Sequence, residues 1–258
     1  MNIVVCVKQV VDTEAEKRLD PTSWRLDRTV ENILNPYDEY AVEEAVRLKE
    51  AHGGEITVLC MGPEEAAAAV RKALAMGADR AVMVTDPALA GSDTQGTAHA
   101  LAEALKPLEF DITLFGIMST DAQTGQVPAA VAALLDLPLL SALNKVEIRD
   151  GALSVHRQTD QGYVAYECPL PAVLSVAKGI NEPRYPSLKG IMAAKKKPME
   201  VKDAAALSLV PGRIGGSGAK TRVLATSNPQ PRAPGVRVED QGDGAEKILD
   251  FLLKEKLV

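Results

Sequence analysis

Residues 54–86, GEITVLCMGPEEAAAAVRKALAMGADRAVMVTD, contain the signals for a strand, a helix and a second strand in immediate succession. The first nine residues are a short apolar run that ends in glycine, which is typical of a buried strand. Pro63 followed by two glutamates is a usual helix beginning, and Gly77 is a usual helix end. This unit predicts two parallel strands joined by a right-handed crossover.

The same alternation continues on both sides of this unit. A strand at IVVCVK, residues 3–8, and a helix at PYDEYAVEEAVRLKEAH, residues 36–52, precede it. A helix at 93–106, a strand at 110–116 and a helix at 124–137 follow it. We therefore predict an α/β fold with a mostly parallel sheet and helices on both faces, a Rossmann-like architecture suited to adenine nucleotides.

The pattern changes in the second half of the chain. Residues 140–169 alternate around the turn RDGA, which predicts an antiparallel hairpin, and LPAVLSVAK, residues 170–178, predicts another buried strand. Residues from about 200 to 244 are rich in Gly, Pro, Ser and Asn, and a terminal amphipathic helix follows. We predict an α/β domain over 1–198, including a loop at 179–198. Residues 199–258 are predicted to be an extended arm and helix that pack on a partner subunit.

Composition and charge argue against nucleic-acid-binding and membrane-spanning proteins. A net charge of −6 and a pI near 5.3 argue against nucleic-acid binding. The sequence contains no run of ~18 apolar residues, so we predict no membrane-spanning helix. The first residues resemble no targeting signal, so we predict a cytoplasmic protein from a bacterium or archaeon.

The residues that could carry chemistry form no catalytic or metal-binding set. The three cysteines lie far apart within apolar runs and are interpreted as small buried hydrophobic residues. No Ser/His/Asp, Cys/His or paired-carboxylate arrangement is recognisable, so we assign neither catalytic residues nor metal ligands. A nucleotide-binding fold without such groups indicates a structural nucleotide, or a cofactor that carries the chemistry itself.

The fold class predicts where a ligand would lie. Open parallel sheets bind ligands at the carboxyl ends of their strands, near the reversal of strand order. The candidate loops are Cys6–Thr13, NPYDEY at 35–40, CMGPEE at 60–65 and GIMSTDAQTGQVP at 116–128. The last has small and hydroxyl residues directly before a helix, so it is either a phosphate cradle or an ordinary capping loop.

Residues 179–199, GINEPRYPSLKGIMAAKKKPM, contain apolar side chains together with two prolines and three consecutive lysines. Pro183 and Pro186 exclude a strand and disfavour a helix at its beginning. Its apolar side chains therefore belong to a segment that we predict to be irregular.

Several of these stretches together are similar to the beta subunit of electron transfer flavoprotein, the FixA family, along nearly the whole chain. The segments that carry this resemblance are VKQVVDTEA (7–15), NPYDEYAVEEAVRLKE (35–50), VLCMGPEEA (58–66), RKALAMGADRAV (71–82), GIMSTDAQTGQVPAAVAALLDLP (116–138) and LPAVLSVAKGINEPRYPSLKGIMAAKKK (170–197).

The resemblance implies one half of an alpha–beta heterodimer that carries electrons. It would accept them from flavin dehydrogenases, such as the acyl-CoA dehydrogenases of fatty acid oxidation, and deliver them to a membrane quinone oxidoreductase. The redox flavin adenine dinucleotide (FAD) would be held mainly by the alpha subunit. The beta subunit would hold adenosine monophosphate (AMP) in a structural role.

The resemblance also implies site residues. The AMP contacts would be Cys6, Asn35, Pro36, Tyr37, Asp38, Met61, Gly116, Ile117, Met118, Ser119, Thr120, Asp121, Ala122, Gln123, Thr124, Gly125, Gln126 and Val127. Residues 179–198 would be a loop that recognises the dehydrogenase, with Leu188 as the anchor. The partner-recognition residues would be Asn181, Glu182, Pro183, Arg184, Tyr185, Leu188, Ile191 and Met192.

Two alternatives stay open. Electron-bifurcating relatives hold a second FAD in place of AMP and oxidise NADH; SDTQGTAHALA at 92–102 resembles that type, whereas GIMSTDAQTGQVPA at 116–129 lacks its arginine or lysine and its AIDGD. The other alternative is a stand-alone nucleotide-hydrolysing enzyme of similar fold, which the missing catalytic set disfavours. AMP is the preferred ligand.

Overall fold

A computed structural model describes residues 1–227, 230, 234–235 and 237–258. The chain divides into two compact units, Met1–Arg222 and Val223–Val258. The first unit contains all strands of the described residues and six of the helices, and the second contains one helix.

The first unit is built on a nine-stranded sheet with the order β11-β5-β4-β1-β6-β10-β7-β8-β9. Neighbours from β11 to β7 are parallel, and β8 and β9 are added antiparallel. A separate small sheet pairs β2 with β3 antiparallel. The strands are β1 Asn2–Val7, β2 Gln9–Val11, β3 Asn32–Leu34, β4 Glu55–Met61, β5 Arg80–Val84, β6 Ile112–Gly116, β7 Leu139–Arg149, β8 Ala152–Thr159, β9 Gly162–Cys168, β10 Ala172–Val176 and β11 Met199–Lys202.

Helices cover both faces of the sheet. Successive residues of a strand point to opposite faces, so Ile3 and Val5 pack with α1 and α2, whereas Val4 and Cys6 pack with α3 and α4. The predicted α/β fold with helices on both faces is confirmed. The helices are α1 Pro36–His52, α2 Ala67–Met76, α3 Thr94–Leu105, α4 Val127–Leu135, α5 Leu188–Ala194, α6 Gly215–Gly218 and α7 Gly244–Lys254.

The predicted hairpin is one part of a three-stranded antiparallel meander. Asp150 and Gly151 join β7 to β8 with positive φ at both positions (51° and 78°), as a tight hairpin of this kind requires. A second tight turn then adds β9, which is almost entirely exposed. The sequence predicted the first turn but not the third strand, because β9 has no buried face that would produce a recognisable alternation.

The predicted boundary between residues 198 and 199 does not coincide with the structural one. Residues 199–202 form β11, which pairs in parallel with β5 at the edge of the main sheet. Leu207, Leu209 and Ile214 are then buried with α3 and α4. The chain divides only after Arg222. Parts of the predicted arm (228–229, 231–233 and 236) lie outside the described residues.

The segment predicted to be irregular contains a short helix. Pro183 and Pro186 precede α5, and Ser187 caps it by accepting a hydrogen bond from the N–H of Gly190 at 3.0 Å. The prolines therefore position the helix start instead of preventing a helix. Among the described residues, no helix is long and apolar enough to cross a lipid bilayer.

Candidate functional site

A cavity of about 510 Å³ lies at the carboxyl ends of β1, β4 and β6. β1 has β4 on one side and β6 on the other, so the chain reverses its direction of strand addition at this point. This is where open α/β sheets bind ligands. The predicted residues that line the cavity are Cys6, Asn35, Asp38, Met61, Gly116, Met118, Ser119, Ala122, Thr124, Gly125 and Val127.

The other predicted contacts lie beside the cavity wall and do not line it. They belong to the first turn of α1 and to the loop between β6 and α4. These residues are Pro36, Tyr37, Ile117, Thr120, Asp121, Gln123 and Gln126.

Asn35 connects two of the loops that form the cavity. Its side-chain amide donates to the carbonyl of Met118 at 2.9 Å, and its carbonyl oxygen accepts from the N–H of Thr120 at 3.2 Å. The residue is buried at the start of α1. Its amide therefore holds the β6–α4 loop against the N-terminus of α1.

Gly116, the last residue of β6, allows a close approach between this strand and α1. A Cβ atom at this position would lie 2.6 Å from Oδ1 of Asp38 and 2.6 Å from the backbone carbon of Tyr37. Any side chain here would separate the two elements. The glycine is therefore required by packing at the site, and not by its own backbone angles.

Asp38 is a buried carboxylate at the cavity wall. The backbone N–H of Lys8 donates to its Oδ2 at 2.8 Å. Burial raises the pKa of Asp38 to about 7, although hydrogen bonds from Asn35 and Lys8 oppose the shift. The group can therefore donate a hydrogen bond to a ligand when protonated and accept one when charged.

Asp121 organises two cations at the cavity. Lys8 Nζ donates to Oδ1 of Asp121 at 2.7 Å, and Arg28 Nη2 donates to Oδ2 at 2.5 Å. Burial by itself would raise the pKa of Asp121, but the two cations together hold it well below its usual range. Lys8 and Arg28 line the cavity. Lys8 lies within the predicted candidate loop Cys6–Thr13 but was not predicted as a contact, and Arg28 lies outside all the predicted loops. The signal from each was only a positive charge, directly after β1 for Lys8 and between β2 and β3 for Arg28, which does not show what the charge contacts.

The far wall of the cavity comes from the start of α3. Asp93 caps this helix by accepting from the N–H of Gly96 at 3.0 Å, and it also accepts from the N–H groups of Lys220 and Thr221. Ser92, Asp93 and Thr94 line the cavity together with Thr221. The predicted helix 93–106 begins where Asp93 caps α3, but no local pattern indicated that residues 220–221 would contact Asp93.

The arrangement suits binding better than catalysis. Burial raises the pKa of the Cys60 thiol to about 12 and that of Cys6 well above its ordinary value, so neither thiol is a ready nucleophile. Within the described ranges, no group of three or more His, Cys, Asp or Glu residues could hold a metal ion. The cavity offers apolar walls, two cations and a loop of small residues before α4, which fit an anionic ligand with an apolar body.

Four of the predicted recognition residues form an exposed apolar surface away from the cavity. Tyr185, Leu188 and Met192 are 96%, 83% and 71% exposed, and Ile191 is also exposed. Asn181, Pro183 and Arg184 are partly buried, whereas Glu182 is exposed. Leu188 does not pack on the sheet of its own chain, which leaves it available to a partner.

Comparison with known proteins gives a consistent result. The sequence model of one protein family, described as "Electron transfer flavoprotein domain", matches residues 23–207 of this chain. "Electron transfer flavoprotein subunit beta" of Mycobacterium tuberculosis (strain ATCC 25618 / H37Rv) is 42% identical over 264 aligned positions, which cover 100% of this chain and 99% of that protein. The proteins of the same name from Thermoanaerobacterium thermosaccharolyticum and Clostridium acetobutylicum are 44% and 37% identical, over 91% and 99% of this chain and the same shares of their own lengths.

Proposed function

The chain belongs to the electron transfer flavoprotein family as a relative of its beta subunits, and from this premise we propose that it is the static half of a heterodimeric electron carrier. A beta subunit implies an alpha subunit as partner. The proposed carrier takes electrons from flavin dehydrogenases, acyl-CoA dehydrogenases among them, and passes them to a membrane quinone oxidoreductase. The redox FAD is held mainly by the alpha subunit.

We further propose that AMP occupies the cavity at the carboxyl ends of β1, β4 and β6. The observation that carries this proposal is the convergence there of three sequence-distant loops, from Asn35, Met61 and Gly116, with Lys8 and Arg28 beside them. The loop of small residues before α4 suits a phosphate group, and the apolar wall suits a purine. The proposed role of the nucleotide is structural, since the residues named here offer it position, charge and an apolar wall.

A second FAD in place of AMP is the alternative that one observation favours. The cavity extends as far as Ser92–Thr94 at the start of α3, the stretch in which the sequence resembles bifurcating relatives. A dinucleotide would use this additional wall, whereas AMP would leave it to solvent or to the partner subunit.

One experiment decides between the two ligands. The heterodimer is purified after co-expression with its alpha subunit, denatured, and its released nucleotides are separated and counted. One FAD and one AMP per heterodimer support the proposal. Two FAD and no AMP, together with oxidation of NADH, support the alternative. A heterodimer that releases a single FAD, with neither AMP nor a second FAD, would contradict both.

A further inference from the structure

The exposed apolar surface lies on a stretch of chain, residues 185–192, that we call the docking segment. Tyr185, Leu188 and Met192 project from it into solvent. An unsupported surface loop of this length would sample many conformations, and ordering it on a partner would cost affinity. The structure instead fixes this segment on both sides.

The first attachment lies immediately before the docking segment. Arg184 Nε and Nη2 donate to the two carboxylate oxygens of Glu43 at 2.8 and 3.0 Å, and Nη1 and Nη2 donate to those of Glu50 at 2.6 and 3.0 Å. The backbone N–H of Arg184 also donates to Glu43 at 3.1 Å. The Glu43 side chain is only 6% exposed, whereas that of Arg184 is 37% exposed, so the carboxylate of this bidentate pair is shielded from solvent and the guanidinium is partly open to it.

Asn181 reinforces the same attachment. Its side-chain amide donates to the carbonyl of Tyr40 at 3.0 Å and to Oε2 of Glu44 at 2.9 Å. Tyr40, Glu43, Glu44 and Glu50 all lie on α1, so the residues before the docking segment are bound along one helix over three turns.

The second attachment lies after the docking segment, on α2. Arg71 donates to the carbonyls of Ala194 and Lys197, at 2.6 and 3.1 Å, and Lys197 Nζ donates to the carbonyls of Leu74 and Ala78 at 2.9 and 2.6 Å. The two segments of the chain therefore cap each other's carbonyl groups.

The docking segment also touches α2 between these two ends. A Cβ atom on Gly190 would lie 2.6 Å from the carbonyl oxygen of Ala75, so α5 rests directly on the end of α2.

We propose that Arg184 is a positioning residue that preorganises the docking segment, so that Leu188 meets the dehydrogenase in a single fixed geometry. This inference rests on the proposed function, because it assigns the docking segment to recognition of a flavin dehydrogenase. A bidentate guanidinium on two carboxylates sets the direction of the chain as well as its distance, which a lysine cannot do. Preorganisation lowers the entropy lost on docking and leaves the flavin chemistry unchanged.

The test measures electron transfer from an acyl-CoA dehydrogenase, reduced by its acyl-CoA, to the purified heterodimer. The heterodimer is the electron acceptor whose concentration is varied, so KM and kcat refer to it. Arg184→Ala is expected to raise KM about tenfold with kcat and flavin content unchanged, and Arg184→Lys is expected to recover only part of the loss. Arg149→Ala, which removes an exposed ion-paired arginine at the end of β7, is the matched control and is expected to change neither constant.

A double variant separates positioning from direct contact. In the Leu188→Ala background, Arg184→Ala is expected to change KM by less than about twofold, because the side chain that it positions is already absent. Amide hydrogen exchange of residues 187–192 is expected to become at least about tenfold faster in Arg184→Ala alone. Gly190→Ala, which displaces α5 from α2, is expected to raise KM in the same way without removing a charge.

The outcomes keep the two claims apart. If Leu188→Ala raises KM but Arg184→Ala does not, or if their effects add fully, Arg184 does not position the docking segment. Unchanged hydrogen exchange would lead to the same conclusion. If the wild-type heterodimer, with its flavin intact, accepts no electrons from the dehydrogenase, the proposed function is wrong instead.

Discussion

Two carboxylates at the same cavity have pKa values shifted in opposite directions, and their surroundings explain why. Asp38 is fully buried, so burial outweighs its hydrogen bonds and raises its pKa to about 7. The side chain of Asp121 is only 4% exposed, but Lys8 and Arg28 both reach it and lower its pKa. Direct contact with a cation thus decides the sign of the shift.

Asp38→Asn is expected to remove a pH dependence of stability. Between pH ~4 and pH ~7 the folded protein keeps a proton on Asp38 that the unfolded chain releases, so stability falls as pH rises, by at most about 1.4 kcal/mol per unit. Above pH ~7 the penalty is constant. The difference in melting temperature between wild-type and Asp38→Asn heterodimers should therefore change between pH 5 and 7 and level off by pH 8. Parallel profiles would contradict this assignment.

Asp121→Asn is expected to lower the free energy of unfolding by about 1–3 kcal/mol near neutral pH, because Lys8 and Arg28 lose their shared carboxylate. The figure is modest since their side chains are 40% and 38% exposed. The difference should be constant above pH ~4, the ordinary pKa of the unfolded carboxyl group, and should shrink progressively as pH falls below that value toward the strongly lowered pKa of the folded group. Urea unfolding measures the free energy of unfolding of each variant, and Asp160→Asn at an exposed position is the control. Equal decreases in the two variants would contradict a stabilising role for the contacts of Asp121 with Lys8 and Arg28.

At the scale of elements, the site depends on how closely β6 approaches α1. Gly116 ends the strand, and Asn35 and Asp38 begin the helix. The helix also carries Glu43 and Glu50, which hold Arg184. One element therefore supports both the cavity, at its N-terminus, and the docking segment, along its side.

Gly116→Ala is expected to destabilise the heterodimer by about 1–3 kcal/mol, because its Cβ would overlap Asp38 and Tyr37. Nucleotide recovered from the purified protein should fall in parallel. Gly212→Ala is the matched control, since a Cβ there meets nothing within 4 Å, and its effect should stay within about 0.5 kcal/mol. If Gly116→Ala behaves like the control, the close approach of β6 to α1 does not constrain the site.

At the scale of the whole molecule, the two units differ in how their apolar residues are covered. The buried residues of both faces of the sheet belong to Met1–Arg222. In the second unit, α7 exposes four large apolar side chains, Ile248, Leu249, Phe251 and Leu253. A helix with such a face is expected to need a partner surface, and we propose the alpha subunit as that partner.

Removal of Val223–Val258 is expected to leave the first unit folded, with a melting temperature within a few degrees of the full chain. It should weaken association with the alpha subunit at least about tenfold, as measured by sedimentation of mixed subunits. Phe251→Glu in the full-length chain should weaken association in the same direction, whereas Lys254→Glu should have a smaller effect. Unchanged association of the truncated chain would exclude α7 as a contact.

Local sequence was sufficient wherever a structure depends on neighbouring residues. The alternation of apolar runs with capped helices predicted the α/β fold, and RDGA predicted the β7–β8 turn, because strand burial, capping and turn geometry are determined within about ten residues. The strand-end loops followed from the fold class, whereas the individual contact residues were implied by the family resemblance, and eleven of those residues line the cavity. No local rule indicated that residues 199–202 would add β11 to the sheet.

The sequence by itself determined the alternation of strands and helices in the first half of the chain, the order of those elements and which strand ends would meet. Only the tertiary structure decided which distant charges would pair: Lys8 and Arg28 with Asp121, and Arg184 with Glu43, the last across 141 positions. The physical reason is that such a pair depends on the strand order and on the packing of helices against the sheet. Those arrangements are set by burial over the whole chain, and no short window of sequence contains them.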